Sequence, residues 1–164
     1  MKNKALLFLV LSFSFTSPSS AMPKGNLAPD FSLRSSSGEV VKLSSFQGKV
    51  IYLDFWASWC PPCKLSFPWL NQLDEKYRNK GLVVLGINLD KNPHDAEKFI
   101  QLMEPKFQIL LDSQGLTPPQ YGVPGMPSSY VIGRDGAILS VHSGFKDSIV
   151  KEVEEQIVKA LETK

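Results

Sequence analysis

The chain has 164 residues, 43% hydrophobic and 21% charged, enough apolar material for one domain with its own core and no need of a disulfide framework. Its 18 basic and 16 acidic residues give no strong charge bias, which argues against nucleic acid or another polyanion as partner. It contains only two cysteines, Cys60 and Cys63.

Residues 1–21 read as an export signal. Lys2 and Lys4 precede an apolar run of about eleven residues from Ala5 to Phe15, and Ser19-Ser20-Ala21 places small residues where a signal peptidase cuts. That run is short for a membrane span, which needs roughly 20 residues. Cleavage after Ala21 is therefore expected, giving a periplasmic protein; an uncleaved signal would instead anchor it to the membrane, facing the periplasm. No cysteine lies nearby to carry a lipid. Export puts both cysteines where disulfides form and persist. Residues 22–164 then form a single domain, expected to be a monomer.

In the mature part, Met22 to Leu27 reads as a tail. Asp30 to Leu33 and Glu39 to Leu43 alternate and flank Ser35-Ser36-Ser37-Gly38, a β-hairpin pattern. Ser44 to Lys49 turns into the apolar strand Val50 to Trp56, whose composition is that of a strand covered on both faces, so Asp54 is expected to be buried. From Pro62, Leu65, Trp69, Leu70, Leu73 and Tyr77 recur at helical spacing up to Gly81, with Pro68 as an expected kink. Leu82 to Leu89 is a second buried strand. Asn92 and Pro93 open a helix that runs to about Met103 and ends at Pro105. Phe107 to Leu111 is a third strand, and Ser113 to Gly125 reads as a proline-rich loop. Ser128 to Ile132 and Ala137 to His142 form a hairpin across Arg134-Asp135-Gly136. Ile149, Val153, Ile157 and Leu161 mark a closing amphipathic helix. This order predicts an α/β fold, a mixed sheet between helices.

Cys60 and Cys63 follow the strand Val50 to Trp56 and open the first helix. A thiol at a helix N-terminus meets unpaired N–H groups and the positive end of the dipole, which favour the thiolate. A purely structural disulfide would close so short a loop for roughly 2 kcal/mol, against about 4.7 for a 100-residue loop. Zinc in a structural site wants four ligands, and His94 and His142 are not at finger-like spacing; Cu(I) needs only two thiolates, so copper delivery stays open. The leading reading is thiol-disulfide exchange, with Cys60, expected to be exposed, forming a mixed disulfide that Cys63 resolves. Pro61 and Pro62 lack N–H groups, so this turn offers few backbone donors to the thiolate.

Trp59-Cys60-Pro61-Pro62-Cys63-Lys64, preceded by Asp54-Phe55-Trp56-Ala57 and followed by Pro68 and Gly125-Met126-Pro127, resembles the thioredoxin superfamily. The nearest branch is the exported TlpA/ResA/CcmG-like thiol-disulfide oxidoreductases, whose Ala-Pro-Asp-Phe opening is matched by Ala28 to Phe31. The resemblance covers Ala28 to Lys164 and implies a thioredoxin fold with an added N-terminal β-hairpin. It implies that Cys60 is the nucleophile and Cys63 the resolving thiol, and that Pro127 is a cis-proline. By the same resemblance the Met126 backbone pairs with an extended substrate, and Trp59, Pro61 and Pro62 form the rim.

No cofactor beyond the redox-active Cys60–Cys63 disulfide and no metal is implied. The implied partners are disulfide-containing proteins, apocytochrome c among them, and a membrane thiol-reductant transporter as electron donor. The leading function is an exported reductase, with cytochrome c maturation as the specific setting. The alternatives are a disulfide-forming oxidant, a peroxiredoxin-like peroxidase and the copper carrier. Against the peroxidase, Leu53 and Ala57 occupy the positions of the proline and threonine in that family's Pro-x-x-x-Thr-x-x-Cys pattern.

Two positions depart from the branch. Ser66 stands where many relatives carry glutamate, and Asp54 matches the buried aspartate of cytosolic thioredoxins, with Gly86 in place of its neighbouring lysine. Asp54 is expected to exchange the proton of Cys63 in the glutamate's stead, its pKa raised by burial without a nearby cation.

Overall fold

The computed structural model describes residues 23–163, so the expected signal at residues 1–21 lies outside the described residues. Seven strands form one mixed sheet in the order β2-β1-β5-β4-β3-β6-β7. The interior strand β3 (Val50–Trp56) is buried at every position. It pairs in parallel with β4 (Leu82–Asn88) and antiparallel with β6 (Ser128–Ile132). Beyond β4 lies β5 (Gln108–Leu111), parallel to it. The hairpin of β1 (Ser32–Ser35) and β2 (Val40–Lys42) joins the antiparallel side of β5. At the other edge β7 (Ile138–Ser143) returns along β6.

The pleat divides β3 between two cores. Val50, Tyr52 and Trp56 face a cluster with Phe67 and Leu70 of α1 (Pro61–Tyr77), Phe99 of α2 (Pro93–Met103), and Val153 and Ile157 of α4 (Asp147–Glu162). Ile51, Leu53 and Phe55 face the second cluster, which Phe31, Val41 and Tyr121 help to cover. The chain thus covers a mixed sheet on both faces, in the thioredoxin-like arrangement with an added hairpin.

Boundaries differ where side chains cap the backbone. The first hairpin strand begins at Ser32 rather than Asp30, because Asp30 Oδ1 accepts from the Phe31 and Ser44 N–H groups, both at 3.0 Å. From Leu43 the chain enters a short 3-10 turn, Leu43–Phe46, in place of further strand. The segment read as a loop from Ser113 contains the short helix α3 (Thr117–Tyr121). Its prolines sit in the first turn, where no N–H is needed. Its cap comes from Asp112, which accepts from the Leu116 and Thr117 N–H groups at 3.1 and 2.8 Å.

The other helices follow the sequence closely. The Asn92 side chain accepts from His94 N–H as α2 starts, and α1 runs through Pro68 and on into a 3-10 turn that stops at Gly81, with φ of 101°.

Candidate active site

The C-terminal end of β3 delivers the chain through Ala57, Ser58 and Trp59 to Cys60, the N-cap of α1. Cys60 and Cys63 are joined by a disulfide, S–S 2.01 Å. With Pro61 and Pro62 supplying no N–H, the Cys60 sulfur accepts from the N–H of Cys63 at 3.3 Å. This is the orphan-donor environment of a helix start, with few donors.

Expected to be exposed, Cys60 is instead 4% exposed, and Cys63 is wholly buried. In the oxidised state the bond turns the first sulfur toward its partner, and both cysteines join the apolar cluster against which Met126 packs. Trp59 is 67% exposed, so it presents an indole beside the dithiol rather than filling the core. The Met126–Pro127 peptide bond is cis. Because β6 begins at Ser128, the Met126 backbone lies just ahead of the sheet ladder.

On the face of β3 whose cluster includes the two cysteines, Asp54 is 2% exposed, and its Oδ2 has no hydrogen-bond partner among the described residues. Burial holds its carboxyl well above the usual carboxylate range. Gly86 is its register partner on β4. A Cβ at Gly86 would lie 3.0 Å from Trp56 Nε1, 3.0 Å from Ile109 Cδ1 and 3.1 Å from Phe107 Cε2. The indole and its neighbours therefore occupy the space a lysine would need, and among the described residues no cation offsets the burial of Asp54.

A cavity of about 10 Å³ reaches Asp54, Tyr52, Ser66, Ser129 and Pro127, close to the smallest volume that admits one water. Burial and the neighbouring Asp54 both push the Tyr52 hydroxyl up, so it stays protonated. Ser66, 2% exposed, donates to the Cys63 carbonyl at 2.8 Å. It thus fills the expected glutamate position without a second carboxylate. Among the described residues no three His, Cys, Asp or Glu side chains converge as a metal site.

Around this site the sequence marks Leu65 and Trp69 only as helix-face residues and gives Phe145 and Asp90 no role. Trp69 stacks edge-on to Tyr52, with centroids 5.5 Å apart, and lies 5.8 Å from the Phe145 ring. Leu65 is exposed beside them. Asp90, just beyond β4, is buried and bonds Ser58. Its signal was a carboxylate immediately after a buried parallel strand adjacent to the cysteine-bearing one.

Residues 23–157 match the family model described as Redoxin. The chain is 30% identical to the thiol-disulfide oxidoreductase ResA of Bacillus cereus, over 97% of this chain and 98% of that one. It is 34% identical to the thioredoxin-like protein YneN of Bacillus subtilis, over 82% and 78% of the two chains. Among solved structures it is similar to a candidate thiol:disulfide interchange protein DsbE of Chlorobium tepidum, with TM-score 0.83 and 48% identity over 86% of this chain and 99% of that one.

Proposed function

We propose, from the premise that this chain belongs to the Redoxin family and is a thiol-disulfide oxidoreductase, that it works outside the cytoplasm as a reductase of protein disulfides. The observation that carries this reading is one constellation: a helix-capping Cys60 bonded to Cys63 in the cluster against which Met126 of the cis Met126–Pro127 bond packs, with a buried Asp54 on the same sheet face whose Oδ2 has no partner among the described residues. The composition of residues 1–21 supports export, with residues 22–164 as the mature single domain.

The cycle starts with Cys60 and Cys63 reduced. The Cys60 thiolate attacks one sulfur of a client disulfide; the client S–S bond breaks, a mixed disulfide forms, and the departing client thiolate takes up a proton. Cys63 then loses its proton and attacks the Cys60 sulfur, which releases the second client thiolate and forms the intramolecular bond. Two electrons have passed to the client, and the protein is oxidised. Asp54 in its ionised form receives the Cys63 proton; burial raises its pKa and so makes that carboxylate a stronger base than an ordinary one. Trp59, Pro61, Pro62 and the Met126–Pro127 backbone form the surface on which the client strand lies. A membrane thiol-reductant transporter restores the dithiol, and apocytochrome c is the client named by the resemblance.

Thiol trapping in intact cells tests the direction. A mostly reduced Cys60–Cys63 pair supports the reductase, and a mostly oxidised pair supports a protein that installs disulfides. A Cys63→Ala variant should accumulate mixed disulfides through Cys60, and adducts through any other residue would contradict the roles given.

A further inference from the structure

The geometry points to Asp90 as the positioning residue of the dithiol turn: its buried carboxylate ties Ser58 to the end of β4 and so sets the direction of Trp59 and the helix-capping Cys60. This inference rests on the dithiol reading above. Between Trp56 and Cys60 the chain must leave the sheet, turn, and enter α1 with Cys60 at φ −97° and ψ 102°. Among the described residues, one hydrogen bond lies within that turn, from Cys60 N–H to the Ala57 carbonyl at 3.1 Å. That bond shapes the turn but attaches it to nothing else.

Where the turn begins, the Trp56 carbonyl accepts from Leu89 N–H at 2.9 Å; beyond that point the attachment is made by Asp90. Its Oδ2 accepts from the Ser58 N–H at 2.9 Å, and its Oδ1 accepts from the Ser58 hydroxyl at 2.9 Å. Asn88 holds the carboxylate from behind: its side-chain amide donates to Oδ2 at 2.7 Å, while its own side-chain oxygen accepts from Asp90 N–H at 3.1 Å. Asn88 is in turn fixed by its pairing with Trp56 across β3 and β4, and its carbonyl accepts from Asp112 N–H at 2.9 Å. Asp90 and Asn88 are 4% and 1% exposed. Buried polar groups whose bonds are all made hold a unique geometry, whereas a missing partner leaves the others exposed to the full desolvation cost. Ser58 lies one residue before the exposed Trp59 and two before Cys60, so a shift at Ser58 moves both the indole and the attacking sulfur.

Asparagine at position 90 separates position from charge. Its amide oxygen, placed at Oδ2, still accepts from Ser58 N–H and Asn88, and its NH₂, placed at Oδ1, donates to a Ser58 hydroxyl that rotates to accept. The test compares Asp90→Ala, Asp90→Asn and Ser58→Ala in full-length oxidised and reduced protein. The readouts are kcat/KM for reduction of insulin, the Cys60–Cys63 potential by equilibration with glutathione, and the thermal midpoint.

Asp90→Ala is expected to lower kcat/KM by about tenfold or more and to shift the potential, since small misplacements of a reacting group cost up to about 100-fold. Asp90→Asn is expected to restore both to within about threefold. Ser58→Ala, which loses only the hydroxyl bond, should fall between them. A wild-type rate and potential in Asp90→Ala would overturn the inference. So would an Asp90→Asn variant as impaired as Asp90→Ala, because that would make charge rather than placement the cause. If Asp90→Ala fails to fold, Ser58→Ala decides: a wild-type rate and potential there overturn the inference, and a loss in both supports it. Wild-type protein inactive on insulin would overturn the dithiol function itself, a distinct result.

Discussion

Replacing Asp54 by asparagine removes a single buried proton site while keeping shape and polarity. In the native protein the Asp54 carboxyl is held well above its ordinary value of 3.8 by burial, with no cation to oppose the shift. In the unfolded chain it returns to that ordinary value. Across the pH window between the two, the folded state carries one proton that the unfolded state lacks, so stability falls as pH rises, by about 1.4 kcal/mol per pH unit. The contribution is fully present below the unfolded value, and its loss is complete once pH passes the native one. Asparagine carries no such proton, so Asp54→Asn should become more stable than wild type as pH rises through this window. The difference widens with pH for as long as the pH stays inside that window, and each kcal/mol moves the midpoint by about 3 °C for a domain of this size. Urea unfolding of both oxidised proteins at pH 5, 6 and 7 measures the difference. Parallel stability curves would refute the raised pKa of Asp54 and, with it, the enhanced basicity on which the proton-acceptor role rests. If that role holds, the same variant should also slow exchange and flatten its pH dependence.

Gly86→Ala should destabilise by about 1–3 kcal/mol, because the new methyl would press on Trp56, Ile109 and Phe107 at 3.0–3.1 Å in a packed core; a neutral urea midpoint would contradict the close packing beside Asp54. Trp59→Ala should leave the thermal midpoint within about 2 °C, since the side chain is 67% exposed, yet lower kcat/KM on a protein disulfide by about fivefold as an apolar contact is lost. Glu154 accepts from Lys76 Nζ and the Tyr77 hydroxyl, both at 2.6 Å, which holds its carboxyl below the ordinary 4.5. The stability this gives is present above that value and is lost as pH falls through the lowered native one, so Glu154→Gln should flatten the acid side of the stability curve, read by thermal melts from pH 5 to pH 3.

The sequence by itself determined the elements with strong local codes. Val50 to Trp56 is too continuously apolar to be anything but a covered strand beside a second one at Leu82. Asn92-Pro93 opens a helix because an oxygen cap and a ring that needs no donor satisfy its first turn. Two cysteines three positions apart at a helix start announce a dithiol by spacing and dipole alone. Asp54 was legible as buried because apolar residues flank it.

Other features depended on residues that meet only in the folded chain. Helix α3 reads as loop in the sequence since its cap, Asp112, lies five residues before Thr117 and its own prolines look like breakers. Cys60 reads as exposed because a local pattern places it at a helix end but does not say how closely the oxidised pair packs into the core. The missing cation beside Asp54 was visible as Gly86, but only the sheet register puts the Trp56 indole into the vacated space. Asp90 carries no motif: it gains its place from Ser58, 32 residues away in sequence, when β3 and β4 align in parallel. Periodicity and capping are properties of neighbours along the chain and can be read there, whereas burial, cavity shape and the pairing of distant polar groups arise only when strands fall into register.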